Sequence, residues 1–217
     1  MKRPSVMTLV LPISGGAQSR WLEEQVLRGN PSLSCGDLRQ FDACVRLLHL
    51  ETPEGGPPVG CLDAGSLSAL AAQFQAHGGG DALSYYAIWR GGPGLPLGWQ
   101  HHPIEVLAGR EYFVFATRVG EAVQLARAIG RMRFTELTAG TVMGSTAGAA
   151  GLEAVRDVDV EQVLVPRSPT FWWAADNSWL VSTDIDADET LVWGSASLAS
   201  AILDTPGLDS HLCGSTL

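Results

Sequence analysis

The sequence predicts an α+β domain in which one largely antiparallel sheet carries helices packed on it. Three observations support this. Segments with an apolar period of two interleave with segments of period 3.6. The strand candidates Trp179–Ile185 and Thr190–Trp193 are joined by too few residues for a parallel crossover. No segment repeats at a fixed period, which argues against a solenoid.

The elements follow in order. Residues 1–17 read as a frayed N-terminus or a first edge strand, and residues 18–213 as a single domain. A helix is expected over Gln18–Leu27, with Trp21, Leu22, Gln25 and Val26 on one face and Gly29-Asn30-Pro31 as its stop. Phe41–Leu50 alternates Val45, Leu47 and His49 against Cys44, Arg46 and Leu48, the pattern of a strand buried on at least one side. Residues 54–60 form a Gly/Pro loop. Leu67, Leu70, Ala71 and Phe74 mark a helical stripe that Asp63 or Ser66 can cap and Gly78-Gly79-Gly80 can end.

Leu83–Trp89 and Arg110–Thr117 are rich in aromatic and β-favouring residues and read as strands, with the core of the second at Tyr112–Ala116. Ile104–Leu107 fits a short edge strand, and Glu121–Ile129 a helix. Residues 138–151 consist largely of Gly, Ala, Ser and Thr and read as a low-complexity loop insertion outside the core. Val158–Val165 reads as extended. Asp176-Asn177 forms a turn before Trp179–Ile185, the acidic stretch 186–189 joins that strand to Thr190–Trp193, and Ser195 or Ser197 caps a helix over Leu198–Leu203.

Composition excludes several classes of function. The chain has 217 residues, 46% hydrophobic and 17% charged, enough apolar material for a core. No apolar run reaches the roughly 18 residues of a membrane span. The 14 basic residues against 23 acidic ones give a net charge of −9, which disfavours nucleic acid as a partner and favours a basic protein. The only lysine is Lys2, so the lysine of a phosphate-binding P-loop is missing.

Cys35, Cys44, Cys61 and Cys213 form no C-x-x-C pair and match no zinc spacing. Reduced thiols in a cytoplasmic protein are the expectation. Against this, Lys2 and Arg3 precede a short apolar run, Val6–Ile13, and the small residues at 14–17, a pattern resembling a short signal peptide.

Few motifs survive inspection. Asp184-Ile-Asp186-Ala-Asp188-Glu189 offers carboxylates to a hard cation, but an EF-hand loop from Asp184 would need Gly at 189 and Glu at 195, where Glu189 and Ser195 stand. A solvated hairpin turn is preferred, with Asp186 closing it through bonds from backbone N–H groups ahead. Gly144-Ser-Thr-Ala-Gly148 has Thr146 where a nucleophile elbow needs serine. His101 and His102 are adjacent and would point to opposite faces of a strand, and His49 reads as a core histidine. Neither a metal nor a cofactor is expected. Seven tryptophans are many for this length. Most suit the core, while Trp89, Trp172 and Trp173 are candidates for a binding surface, with Trp172 or Trp173 lining a cleft beside Pro169. Asp184 and Asp186 complete the candidate binding set.

The stretch Ser168–Leu198 reads W-W-A-A-D-N-S-W, then I-D-A-D-E-T, then V-W-G-S and a helix. It resembles a family of uncharacterised actinobacterial proteins with the pattern W-W-x-x-D-x-x-W … I-D-x-x-x-T … G-S. S-Y-Y-A-I-W-R-G at 84–91, G-R-E-Y-F-V-F at 109–115 and F-D-A-C-V-R-L-L-H at 41–49 fit the same set. The chain departs from it at Ala174, where proline is expected, and at Trp193, where a small residue is expected. The resemblance implies a compact fold in a bacterial cytosol and assigns no catalytic residue.

The function expected is therefore a non-enzymatic interaction module, an acidic protein of the immunity or adaptor kind. The alternative is a hydrolase-like enzyme whose site gathers distant groups, for which Asp184, Asp186, Glu105, His101 and Arg110 are the residues to follow.

Overall fold

The computed structural model describes residues 12–50, 59–77, 82–91, 95, 99, 101–127 and 168–214. The low-complexity segment 138–151, the extended stretch Val158–Val165 and the apolar run up to residue 11 lie outside them.

Eight strands form one sheet: β1 (Ala43–Leu48), β2 (Leu83–Trp89), β3 (Glu105–Leu107), β4 (Arg110–Arg118), β5 (Phe171–Ala174), β6 (Leu180–Ser182), β7 (Glu189–Gly194) and β8 (Asp209–Leu212). Their order is β3-β4-β2-β5-β6-β7-β1-β8, and every neighbouring pair is antiparallel. The expected α+β architecture is thus the one observed. Ile13 adds a single bridge to Val114, donating its N–H to that carbonyl at 2.7 Å.

The helices are α1 (Gly16–Trp21), α2 (Ala64–His77), α3 (over 122–127, after a 3-10 turn at Val119–Glu121) and α4 (Ala196–Leu203). Asp63 caps α2, its Oδ1 accepting from the N–H of Gly65 at 2.8 Å and of Ser66 at 3.0 Å. Ser195 caps α4 by accepting from the Leu198 N–H at 3.2 Å. The helix expected over Gln18–Leu27 begins two residues earlier and widens into a π-helical turn at Leu22–Leu27. Arg28, in the left-handed region at φ 47°, ends it by donating its N–H five residues back to Glu23 O at 2.8 Å.

The buried apolar residues fall into two clusters on the two faces of this one sheet. On one face Val45, Leu47, Tyr86, Phe115, Trp172 and Val192 pack against α2, α3 and α4. On the other, Cys44, Val114, Phe171, Trp173, Leu180 and Trp193 pack under Leu22, Val26, Leu27 and Leu38. A sheet covered on both sides explains why β5, β6 and β7 read as continuous apolar runs rather than alternating ones.

Two strands escape the sequence pattern. β5, F-W-W-A, is buried at every position and shows no period. β8, D-S-H-L, is a mostly exposed polar edge strand.

One covalent feature corrects the expectation of reduced thiols: Cys35 and Cys213 form a disulfide with a Cα–Cα distance of 5.8 Å, while Cys44 and Cys61 remain thiols, both buried. Gly60 is also required by its surroundings. It adopts φ +67°, and a Cβ there would lie 2.3 Å from the Ile185 carbonyl oxygen.

Candidate functional site

Trp172 and Trp173 do not line a cleft. Both are 0% exposed, because β5 lies inside the sheet and points one ring into each apolar layer. The Trp172 indole donates to Ser84 Oγ at 3.0 Å and meets Phe74 and Trp179 edge-on at 5.0 and 5.2 Å. The Trp173 indole donates to Gln18 Oε1 at 3.3 Å, which ties β5 to α1. Trp89, at the end of β2, is half-buried against the second layer.

The acidic turn differs from expectation in which residue closes it. Asp184 accepts the Asp186 N–H at Oδ1, 3.2 Å away, and the Ser32 hydroxyl at Oδ2. Asp186 is exposed, and its carboxylate accepts no hydrogen bond from the described residues. The register explains the exchange. β6 ends at Ser182, so Asp184 is the first side chain free to turn back on the hairpin. Thr190 faces inward instead, its Oγ1 2.8 Å from Thr183 Oγ1 and 2.9 Å from His49 Nε2, all three buried. His49 is the core histidine that its strand position implied.

Of the polar residues followed for an enzymatic site, the fold brings Arg110 and Asp184 to 4.0 Å across β4 and the β6–β7 turn. Tyr112 lies beside them, its hydroxyl close to the Arg110 guanidinium. Burial pushes its phenol up to about 12, opposed by the neighbouring Arg110. Such a phenol stays protonated at neutral pH and is no base. Glu105 is used elsewhere, accepting from the Gly15 N–H at 2.7 Å and the Ser14 hydroxyl at 3.1 Å. His101 is exposed. Among the described residues, the only group of three or more His, Cys, Asp or Glu ligand atoms within 4.8 Å of one another is Cys35, Cys44 and Cys213.

A concave site among the described residues lies elsewhere. A cleft of about 350 Å³ opens where the end of α1, the chain before β1, the β5–β6 turn and the start of α4 meet. Trp21 and Phe41 give it aromatic walls, Asp42 a carboxylate, and Asn177, Ser178 and Ser195 its other polar groups. Asn177 is held at φ +60° in the turn between β5 and β6, and its buried Oδ1 has no hydrogen-bond partner among the described residues.

Sequence reasoning missed this site because its residues come from four separate places, at 21, 40–42, 177–178 and 194–195. The turn at Asp176-Asn177 was the one local signal. Compared with models of protein families, with curated proteins and with solved structures, the chain matches none.

Proposed function

We propose that the protein is an interaction module that takes a basic side chain of a partner protein into the cleft walled by Trp21 and Phe41. The observation that carries the reading is the combination of those two rings with the Asp42 carboxylate. A guanidinium is planar, stacks on aromatic faces and donates several N–H bonds, so each of these groups has something to do for it. The net charge of −9 favours encounter with such a partner and disfavours phosphate backbones. An acidic immunity or adaptor protein would meet a basic partner through such charge, and the analogy is one of charge alone. Among the described residues no helix is long and apolar enough to cross a membrane. The cytoplasmic setting read from the sequence loses its argument from reduced thiols, since Cys35 and Cys213 are paired.

The test is titration with an arginine-containing basic peptide, followed by the fluorescence of the tryptophans and repeated at raised salt. Binding should weaken at high salt, and about tenfold or more in Trp21→Ala and in Asp42→Asn. Absence of binding, or binding indifferent to both substitutions, overturns the reading. The alternative of a hydrolase-like enzyme takes its support from the Arg110–Asp184 pair beside Tyr112. Its weakness is that the carboxylate and guanidinium neutralise each other.

A further inference from the structure

Three sulfurs meet where the segment after α1 crosses β1 and β8. The Sγ atoms of Cys35, Cys44 and Cys213 all lie within 4.8 Å of one another. Two elements fix this. Cys213 follows β8 immediately and donates its N–H to the Cys44 carbonyl on β1 at 2.9 Å, which continues the β1–β8 register by one residue. Cys35 arrives from the chain between α1 and β1, joined to Cys213 by the disulfide. Only two of the sulfurs are used by that bond. The third, Cys44, is 7% exposed and shares its apolar layer with Leu38, Leu191 and Trp193.

A cation and its counter-ion lie nearby. Arg46, two residues along β1 on the same face, brings Nη2 to 3.7 Å from Cys35 Sγ and is itself held by Glu189 at 3.0 Å. Thiolate–zinc bonds of about 2.3 Å place sulfurs roughly 4 Å apart, which matches the spread of these three once the disulfide opens. Thiolate ligands select soft ions, and the described residues supply no fourth His, Cys, Asp or Glu ligand to the cluster.

We propose that the reduced protein holds one soft d10 cation, Zn²⁺ or Cu(I), on the thiolates of Cys35, Cys44 and Cys213. The chemistry balances in two steps. A dithiol reductant gives two electrons and two protons to the Cys35–Cys213 bond, becomes a disulfide itself, and leaves two thiols. Three thiols then bind the ion and release three protons. Each thiol gives up its proton to the ion it takes. The oxidised form, with one thiol remaining, has no such site.

The test loads oxidised and phosphine-reduced wild type and Cys44→Ser with Zn²⁺ or Cu(I), each against a chromophoric chelator. Ions per chain are counted by native mass spectrometry. Cys44→Ser keeps both disulfide partners, and its circular dichroism is compared with that of wild type in the same redox state. The expected result is one ion per reduced wild-type chain, none per oxidised chain, and binding weakened about tenfold or more in Cys44→Ser. The two ions in parallel show which fits the site. Binding to the oxidised chain as strong as to the reduced one overturns the proposal, as does undiminished binding in Cys44→Ser or the lack of a stoichiometric ion. Should reduction unfold the metal-free chain, the ion must restore its circular dichroism, and failure to do so also overturns the proposal.

Discussion

The two faces of the sheet are closed by different means. One face is covered by α2, α3 and α4, whose apolar stripes meet a cluster of rings. Phe74 stacks on Trp179 at 4.0 Å and meets Trp172 edge-on. That layer is ordinary side-chain packing, distributed over many contacts. The other face is covered by the helical stretch 16–27 and by a stretch of chain, 28–42, without regular structure. It is fastened at discrete points: Gln18 to the Ala175 carbonyl and the Trp173 indole, Glu23 to the Ala108 N–H at 2.5 Å, Glu105 to Gly15, and Cys35 to Cys213. A layer held by fasteners responds to the loss of one of them, and a packed layer responds to volume. Both the candidate cleft and the three sulfurs lie at the fastened face, where chain without regular structure leaves room for ligands.

This contrast can be broken most sharply at the disulfide. Its cysteines are 178 residues apart, and the chain-entropy treatment gives a stabilisation of about 5 kcal/mol for so long a loop. Urea unfolding of Cys213→Ser, or of wild type under reductant without metal, should show most of that loss. A change below about 1 kcal/mol would mean that packing alone closes the second face.

Trp172→Ala is the matching test of the packed face. The ring is fully buried and its indole satisfies Ser84, so removal should cost about 3–5 kcal/mol by the same measurement. Glu105→Gln tests a smaller fastener. It removes a charged acceptor from the Gly15 N–H and should cost about 1 kcal/mol, with no change in the near-ultraviolet signal of the rings on the packed face.

Alkaline pH gives a fourth test. Burial raises Cys44 from its ordinary 9.0 to about 12, and Tyr112 from 10.0 to about 12. Both are acids that the native state keeps protonated. The unfolded chain gives up these protons first, so the stability they contribute is complete below pH 9 and falls as pH rises from about 9 to 12. Tyr112→Phe should flatten part of that fall in melts taken along the series. The smallest expected effect is at the acidic turn. Asp184→Ala should cost on the order of 1 kcal/mol, because it releases the Asp186 N–H and the Ser32 hydroxyl, whereas Asp186→Asn should be nearly silent.

The sheet was legible where one rule governed a segment. Leu83–Trp89 is a strand to the residue, since its β-favouring side chains are bounded by turn residues at both ends. The stripe of Leu67, Leu70, Ala71 and Phe74 lies buried on α2, with Asp63 as its cap. β5 was illegible because burial on both faces erases the alternation that marks a strand, and the same burial makes its tryptophans part of the core and not a binding surface. β8 was illegible because an exposed edge strand needs no apolar pattern. The three sulfurs could not be found from spacing, since the register that sets Cys213 beside Cys44 depends on strand order across the whole chain. The cleft is a similar case, assembled from positions that share no local signal.

Strand order also bears on how the chain reaches this state. β1 comes early in the sequence, yet its only partners are β7 and β8, with Val45 paired to Val192 on one side and to Leu212 on the other. A ribosome adding roughly 5–20 residues per second therefore exposes both edges of β1 for on the order of ten seconds before its neighbours exist. Contacts so distant in sequence make for slow folding. Throughout that interval an unpaired strand carrying Val45 and Leu47 is open to other nascent chains.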